Sequence, residues 1–286
     1  MKASFLYQLS NVTGAISYDW VRLSVDGERN EIYVANTSDR SVSVFSESGM
    51  EIYTFGEDLG IVSDIAVRDD GALIVLSQGN DTARALLLCN YRGERVSPLA
   101  IRNLPPEFAE FTPDRIVYRK GRLYLADRGA MKIVVTDRDG IFEKGYDIAG
   151  RMGLKERKRA ETGIVGFSVD GEGNILFTVP VLFVAYRLSA DGTMSSFGEP
   201  GVSPGKFNVV GGVAADERGS IFVADTLRCV VMIFDRELRF LKEFGYRGLE
   251  PGSLIAPMEL AADGNGRVYV SQSANRGVSV YRLTYD

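Results

Sequence analysis

Apolar and polar residues alternate along short stretches of this chain, and turns rich in Asp and Gly separate the stretches. One pattern recurs six times, as "EIYVANTSDRSVSVF", "ALIVLSQGNDTARALLLC", "RLYLADRGAMKIVVT", "NILFTVPVLFVAYRL", "SIFVADTLRCVVMIF" and "RVYVSQSANRGVSVY". Equivalent apolar positions lie 41 to 52 residues apart, which is the period of a four-stranded unit. Since Asp and Gly supply the positive φ angles of tight hairpins, each unit is predicted to be an antiparallel meander.

The sixth unit ends after its third strand, near Leu283, so one strand is missing from it. The N-terminal segment "SFLYQLS" matches "RFLKEFG" of the fifth unit, with Phe5 aligned to Phe240. If this segment pairs with the last unit, it covers an open sheet edge. We therefore predict an all-β protein, a six-bladed β-propeller with four-stranded antiparallel blades. The N-terminal strand completes the last blade and closes the ring, and residues 1–286 form a single domain.

Two long segments carry a family resemblance, "PGKFNVVGGVAADERGSIFVADTLRCVVMIFDRELRFLKEFG" and "PGSLIAPMELAADGNGRVYVSQSANRGVSVY". They resemble NHL repeats, whose pattern runs from Pro-Gly through a strand, Asp-x-x-Gly, a strand with Val-Ala-Asp-Thr, and a strand ending in Phe-Gly. The match is strongest in copies one, five and six. It is similar to bacterial, often extracytoplasmic, NHL-repeat proteins, and this implies a periplasmic or surface location. The N-terminal residues show no signal peptide and leave a cytoplasmic location open.

Composition narrows the chemistry that the chain can perform. There is no histidine, so no imidazole is present to bind zinc or act as a general base. The peptidyl-amidoglycolate lyases, which resemble this fold, hold zinc through histidines and are thereby excluded. The net charge of -5 argues against a nucleic-acid partner, and no apolar run is long enough to insert into a membrane. Cys89 and Cys229 are interpreted as buried free thiols. We expect a monomer that is not an enzyme and has no cofactor.

The starts of the first strands are predicted to surround the central channel. Alignment on "RLSVD" places at one level the residues Arg22, Asp64, Arg115, Gly166, Gly212 and Glu259. Charges of opposite sign on neighbouring blades predict ion pairs, because unpaired buried charges are costly. Alternatively, the two glycines leave a notch for a small polar ligand or ion. Lactonase-like propellers hold calcium there with oxygen ligands alone, so a channel calcium ion stays open.

Loops between second and third strands are predicted to converge on one face of the propeller. They carry Asn36, Asp39, Arg40, Gln78, Asn80, Asp127, Arg128, Asp225, Arg228, Asn275 and Arg276. Asp127 and Asp225 are expected to brace their own turns. For the arginines, partner contact and simple solvation are both open. The predicted partner-binding set from these loops is Asn36, Arg40, Arg128, Arg228, Asn275 and Arg276.

The equivalent loop of blade four is apolar. It reads Pro180, Val181, Leu182 and Phe183 where the other blades carry polar residues. Either this loop folds inward under its neighbour, or it is an exposed anchor for a protein partner. Pro180 stiffens the tip and lowers the entropy cost of binding.

Two insertions lengthen the connections between blades. The segment "AGRMGLKERKRAETG" is a basic run that predicts a short helix, either simply solvated or a docking patch for an acidic partner. The segment "LPPEFAEFTPDR" carries Phe108 and Phe111, which are expected to pack down as a loop cover.

The sequence thus predicts a non-catalytic scaffold that binds a protein partner through its loops and the apolar loop of blade four. The alternatives are a metal-dependent hydrolase or lactonase-like enzyme, or a small-ligand sensor, that uses the central channel. A fold of this kind supports many functions.

Overall fold

A computed structural model describes residues 1–79 and 84–285. Within these residues the chain forms six four-stranded antiparallel sheets, one for each repeat of the sequence. The architecture is a six-bladed β-propeller, and the predicted fold class is confirmed. In the first five blades the four strands neighbour one another in chain order.

The strand bounds follow the repeats closely. Blade one has Arg22–Asp26, Glu31–Asn36, Ser41–Phe45 and Glu51–Phe55; blade two has Ile61–Val67, Leu73–Gln78, Arg84–Cys89 and Arg95–Leu99; blade three has Arg115–Arg119, Arg122–Asp127, Lys132–Asp137 and Phe142–Asp147. Blade four has Phe167–Val169, Ile175–Val179, Val184–Leu188 and Met194–Phe197; blade five has Val210–Ala215, Ile221–Asp225, Val230–Phe234 and Phe240–Phe244; blade six has Glu259–Ala262, Arg267–Ser271, Val278–Thr284 and Lys2–Gln8.

The N-terminal strand completes blade six, as predicted. Lys2–Gln8 pairs antiparallel with Val278–Thr284, and the ladder skips one residue between Phe5 and Tyr7. Blade five skips one residue at the aligned place, between Phe240 and Lys242 of its fourth strand. The ring of Phe5 packs on Tyr281 at 5.8 Å, and the ring of Phe240 packs on Phe234 at the same distance. The two fourth strands therefore correspond residue by residue.

Two compact units are distinguished within the chain. One comprises residues 1–34, 43–53 and 165–286, and holds blades four, five and six with most of blade one. The other comprises residues 35–42 and 54–164, and holds blades two and three. Each unit has its own buried apolar clusters, such as the one around Phe222 and Val268 in the first unit and the one around Phe108 and Leu123 in the second. The prediction that residues 1–286 form a single domain stays a prediction.

Aspartates at the ends of first strands hold the next turn in place. Oδ1 of Asp216 accepts from the backbone N–H groups of Arg218 and Ser220 at 3.0 and 2.8 Å. Oδ1 of Asp170 binds two N–H groups of its own turn in the same way. The Asp-Gly turns that reveal the repeat in the sequence are thus stabilised by their own side chains.

The connections between blades contain the few helical segments. Helix α1 is Ile148–Arg151, helix α2 is Glu156–Thr162, and 3-10 turns occupy Glu57–Leu59, Pro106–Phe108 and Pro180–Leu182. Two short strand pairs join Ser10–Asn11 to Gly14–Ala15 and Glu199–Pro200 to Lys206–Phe207. Phe108 and Phe111 are buried with their rings 6.4 Å apart, which confirms the predicted loop cover. In the described part of the chain, no helix has the length and apolar character needed to cross a bilayer.

Candidate binding surface

Two ion pairs join the first strands of neighbouring blades, as predicted. Nη1 of Arg22 lies 2.9 Å from Oε2 of Glu259, and Nε of Arg115 lies 2.8 Å from Oδ2 of Asp64. Asp64 and Arg115 are buried, and the N–H of Ile116 also donates to Oδ2 of Asp64. The carboxylate oxygens that a channel calcium ion would need as ligands are therefore paired with arginines. Calcium binding in the channel stays a prediction.

The glycines at the same level do not leave a notch, so that hypothesis is wrong. A Cβ on Gly212 would overlap the carbonyl oxygen of Met258, which accepts a hydrogen bond from the N–H of Gly212 at 2.6 Å. A Cβ on Gly166 would come within 2.8 Å of the carbonyl oxygen of Gly211 and 2.9 Å of Oγ1 of Thr178. Backbone of the next blade fills the space beside each glycine. Glycine is needed here for close packing between blades.

The loop aspartates brace their own turns, as predicted. Oδ1 of Asp127 accepts from the N–H of Ala130 at 2.9 Å. Asp225 is fully buried and accepts from the N–H groups of Asn208 at 2.7 Å and Arg228 at 2.9 Å. These carboxylates hold loop backbone in one conformation, which gives the loops a fixed shape.

Four of the predicted partner-binding side chains are engaged inside the protein. The contacts are Asn36 Nδ2 to Asp39 Oδ2 at 2.8 Å, Arg128 Nε to Asp114 Oδ2 at 2.9 Å, Arg228 Nη2 to Glu243 Oε1 at 2.7 Å, and Arg276 Nη1 to the carbonyl of Leu249 at 2.7 Å. Arg40 and Asn275 are exposed, and Asn80 lies outside the described residues. The loop polar residues therefore act largely as internal supports, and a partner would find few of them free.

The apolar loop of blade four is exposed at its tip, whereas its use as an anchor for a partner stays a prediction. Pro180–Leu182 form a 3-10 turn, and Phe183 follows in the left-handed conformation at φ 56°. Val181, Leu182 and Phe183 are 53%, 38% and 37% exposed. The loop does not fold inward. A bulky residue in the left-handed region is strained, so the surrounding structure holds this tip in place.

Further exposed apolar side chains lie at the same ends of the sheets in blades four to six and at the start of blade one. In an antiparallel meander, the turn between second and third strands and the connection to the next blade emerge at the same end of the sheet. We call the whole set the apolar face: Trp20, Val181, Leu182, Phe183, Val202, Val209, Leu227, Tyr246 and Leu249. All of its members belong to the first compact unit. Exposed apolar residues are ordinary when they stand singly, whereas contiguous apolar patches often mark binding sites.

Hydrogen bonds to backbone carbonyls connect parts of this face within blade five and toward blade six. The carbonyl of Val209 accepts from the N–H of Thr226, next to Leu227, at 2.8 Å. The carbonyl of Leu227 in turn accepts from Nη2 of Arg247, next to Tyr246, at 3.0 Å. The sequence pattern indicates only the blade-four segment of the apolar face. The other members are single apolar residues in polar loops. They stand out in the sequence only when the loops of neighbouring blades are aligned and the apolar residue in each is noted.

A polar cleft of about 650 Å³ lies in the second unit, between the turns of blades one and two. Its charged lining residues are Asp39, Glu57, Asp58, Glu94, Arg92 and Arg95. The signs are mixed, and Glu94 already accepts from Nδ2 of Asn90 at 2.6 Å. The lining therefore does not select one class of charged ligand.

The basic insertion is attached to blade three through Asp147. This carboxylate receives two hydrogen bonds from Arg159, at 2.6 and 2.9 Å, and one from the N–H of Gly150 at 2.9 Å. Burial alone would raise the pKa of Asp147, but the hydrogen bonds and the positive charge of Arg159 outweigh burial and lower this pKa below its usual range. The carboxylate is therefore ionised and holds both helices at neutral pH.

The two thiols are buried and free, as predicted. Burial raises the pKa of Cys89 to about 11, so this thiol is protonated at neutral pH. Among the described residues, no group of three His, Cys, Asp or Glu side chains is placed to hold a metal ion.

Comparison with known proteins shows the fold. No family model and no curated protein matches the chain. A Bacteroides thetaiotaomicron protein of unknown function has a TM-score of 0.69 at 12% identity, over 98% of this chain and 76% of its own. An inactive virginiamycin B lyase from Staphylococcus aureus with quinupristin has a TM-score of 0.60 at 11% identity, over 92% of this chain and 80% of its own. Hydrazine synthase of Kuenenia stuttgartiensis has a TM-score of 0.62 at 14% identity, over 93% of this chain and 84% of its own.

These similarities correct the prediction that the chain is not an enzyme. That prediction relied on the missing histidines and on the family resemblance. Two of the three similar structures are enzymes, a lyase and hydrazine synthase, so a propeller of this shape is no argument against catalysis. The lyase was inactivated by replacing a histidine with alanine, and the present chain contains no histidine.

Proposed function

We propose that this propeller binds a protein partner through the apolar face, with Leu182 and Phe183 as the anchor. The single observation behind the proposal is that three consecutive apolar residues stand exposed at the tip of the blade-four loop. Burying such side chains against a partner removes their apolar area from water. This contributes a favourable binding free energy of about 25 cal/mol per Å² of apolar area. Binding hot spots typically consist of a few large apolar or aromatic side chains on a rigid support.

The rigidity of the loop favours binding because little conformational entropy is lost when a partner docks. Pro180 fixes the start of the 3-10 turn, and the N–H of Phe183 donates to the carbonyl of Pro180 at 3.0 Å. The strand that precedes the loop is fully buried over Ile175–Val179. The anchor therefore projects from a fixed base.

The sequence of blade five supports a family assignment. The segment of blade five around Asp225 follows the Val-Ala-Asp-Thr pattern of NHL repeats, and its carboxylate braces the following loop. We infer that the blades are NHL-type repeats used for protein binding. The extracytoplasmic location that this resemblance implies stays a prediction.

The first experiment identifies the partner at the anchor itself. Benzoylphenylalanine replaces Phe183 in the source organism, and irradiation cross-links whatever touches this position. The control carries the same amino acid at Val96, which is 62% exposed on an outer strand. A protein that is cross-linked from position 183 but not from position 96 is the candidate partner. It is then purified so that its affinity for the propeller can be measured. If no protein is captured specifically at 183, the proposal is refuted.

The second experiment measures affinity with Leu182→Asp and Phe183→Asp combined. Aspartate tolerates the left-handed conformation better than phenylalanine, so the fold is retained. Trp20 is the one tryptophan in the sequence and lies on the apolar face, so its fluorescence reports binding. We expect the double variant to bind at least ~10-fold more weakly. The matched control, Ile52→Asp with Val96→Asp on outer strands, should bind like the wild type. Unchanged binding by the anchor variant, or equal loss in the control, contradicts the proposal.

A further inference from the structure

We propose that the helical insertion between blades three and four is a second docking site, which captures an acidic, unstructured segment of a protein. The insertion, residues 148–164, contains five basic and two acidic residues, so it carries a net charge of +3. The whole chain carries -5, and the rest of it therefore carries -8. Positive charge is concentrated in one surface segment of an otherwise acidic protein.

The insertion is rigidly mounted. Ile148 and Ala149 are completely buried, and the N–H of Leu154 donates to the carbonyl of Ala149 at 2.9 Å. The two hydrogen bonds from Arg159 to Asp147 tie helix α2 to the end of the preceding strand. Because the helices are held in place, the charges that they present do not have to be ordered when a ligand binds.

The exposed charges separate into supporting and presented groups. Arg159 forms an ion pair with Asp147, and Nζ of Lys158 lies 3.3 Å from Oε2 of Glu161. Lys155 and Arg157 are exposed and make no ion pair with the side chains that the structure describes. Arg151 is exposed as well, and its guanidinium lies 5.3 Å from the centre of the Tyr146 ring.

The chemistry of the partner follows from charge complementarity. Helix α2 has seven residues and is about 10 Å long, which matches two or three carboxylates of an extended acidic peptide. Binding would depend on long-range attraction and would weaken steeply with added salt. A nucleic acid fits less well, since the remaining charge of the chain repels a polymer of phosphates.

The test uses a fluorescein-labelled oligoglutamate peptide of about ten residues and anisotropy at ~50 mM and ~300 mM NaCl. The variant is Lys155→Glu with Arg157→Glu. The matched control is Arg92→Glu with Arg95→Glu, which changes the net charge equally at two exposed sites of blade two. Circular dichroism and melting curves verify that both variants fold.

We expect the wild type to bind the peptide at low salt. Its affinity should be at least ~10-fold weaker at high salt. The insertion variant should lose at least ~10-fold in affinity, and the control should stay within ~2-fold of the wild type. Absent binding by the wild type, equal loss in both variants, or tighter binding of single-stranded DNA of equal length overturns the proposal. The insertion variant should still bind at the apolar face, so the two proposals are tested separately.

Discussion

At the residue scale, backbone conformation just before the third strand is shared by several blades. Arg40, Met131, Phe183 and Cys229 all precede a third strand and have φ between 52° and 58°. Gly277 occupies this place in blade six with φ 60°. Non-glycine residues rarely adopt this conformation, so the surrounding loop enforces it. The side chains at this position have different environments: Met131 and Cys229 are buried, whereas blade four carries an exposed phenylalanine.

Gly212→Ala tests whether close packing, and not a ligand notch, explains the glycine on blade five. The added methyl group overlaps the carbonyl of Met258 on blade six, so backbone must shift. We expect a loss of at least ~2 kcal/mol in the free energy of unfolding, measured by urea titration. Gly27→Ala is the control, because a Cβ there meets no atom within 4 Å and should change stability by less than ~0.5 kcal/mol. Equal stability of the two variants would contradict the packing explanation.

At the scale of elements, Asp147 links a strand to two helices. Its carboxylate accepts from the N–H of Gly150 in helix α1 and from both Nη atoms of Arg159 in helix α2. One residue at the end of blade three therefore helps to hold the basic insertion in place, together with the buried Ile148 and Ala149. No pattern in the sequence pairs it with a partner 12 residues away.

Acidification is expected to release the insertion. The pKa of Asp147 is lower in the folded protein than the ordinary value of about 3.9. A lowered folded pKa means that the stabilising contribution is present above the unfolded pKa and is lost as pH falls through the folded pKa. Amide protection factors of residues 150–163 should therefore decrease below pH ~4. Asp147→Asn should show low protection already at neutral pH and little further change in this range. If both proteins respond to pH alike, Asp147 is not the anchor.

At the scale of the whole molecule, the chain closes by pairing its first strand with its last. The aligned bulges and aromatic contacts show that Lys2–Gln8 is equivalent to the fourth strand of blade five. The N terminus is therefore a structural element of blade six, and its removal leaves a row of unpaired backbone groups.

Phe5→Ala and Leu6→Ala compare a packed and an exposed residue of this strand. Phe5 contacts the ring of Tyr281, whereas Leu6 sits at the bulge and is 38% exposed. Phe5→Ala should lower the free energy of unfolding by about 1–3 kcal/mol, because its apolar contact is lost. Leu6→Ala should change it by less than ~0.5 kcal/mol. Deletion of residues 1–10 should destabilise the fold more than either, and a melting temperature unchanged by this deletion would refute closure by the N terminus.

The sequence by itself determined the number of blades, the order of strands and the closing strand. Each depends on local chemistry, such as the Asp-Gly turns, the alternation of apolar residues and the match of Phe5 to Phe240. The ion pairs of Arg22 with Glu259 and of Asp64 with Arg115 were also predictable, because equivalent positions of a repeat fall at one level.

Only the tertiary structure decided which loop side chains are free for a partner. Arg128, Arg228 and Arg276 look alike in sequence to the exposed Arg40, but contacts with distant segments engage them. The space beside Gly212 and the apolar residues brought together from different blades depend in the same way on atoms far apart in the chain. A repeat pattern specifies what each blade is, whereas the approach of one blade to the next determines which atoms remain on the surface.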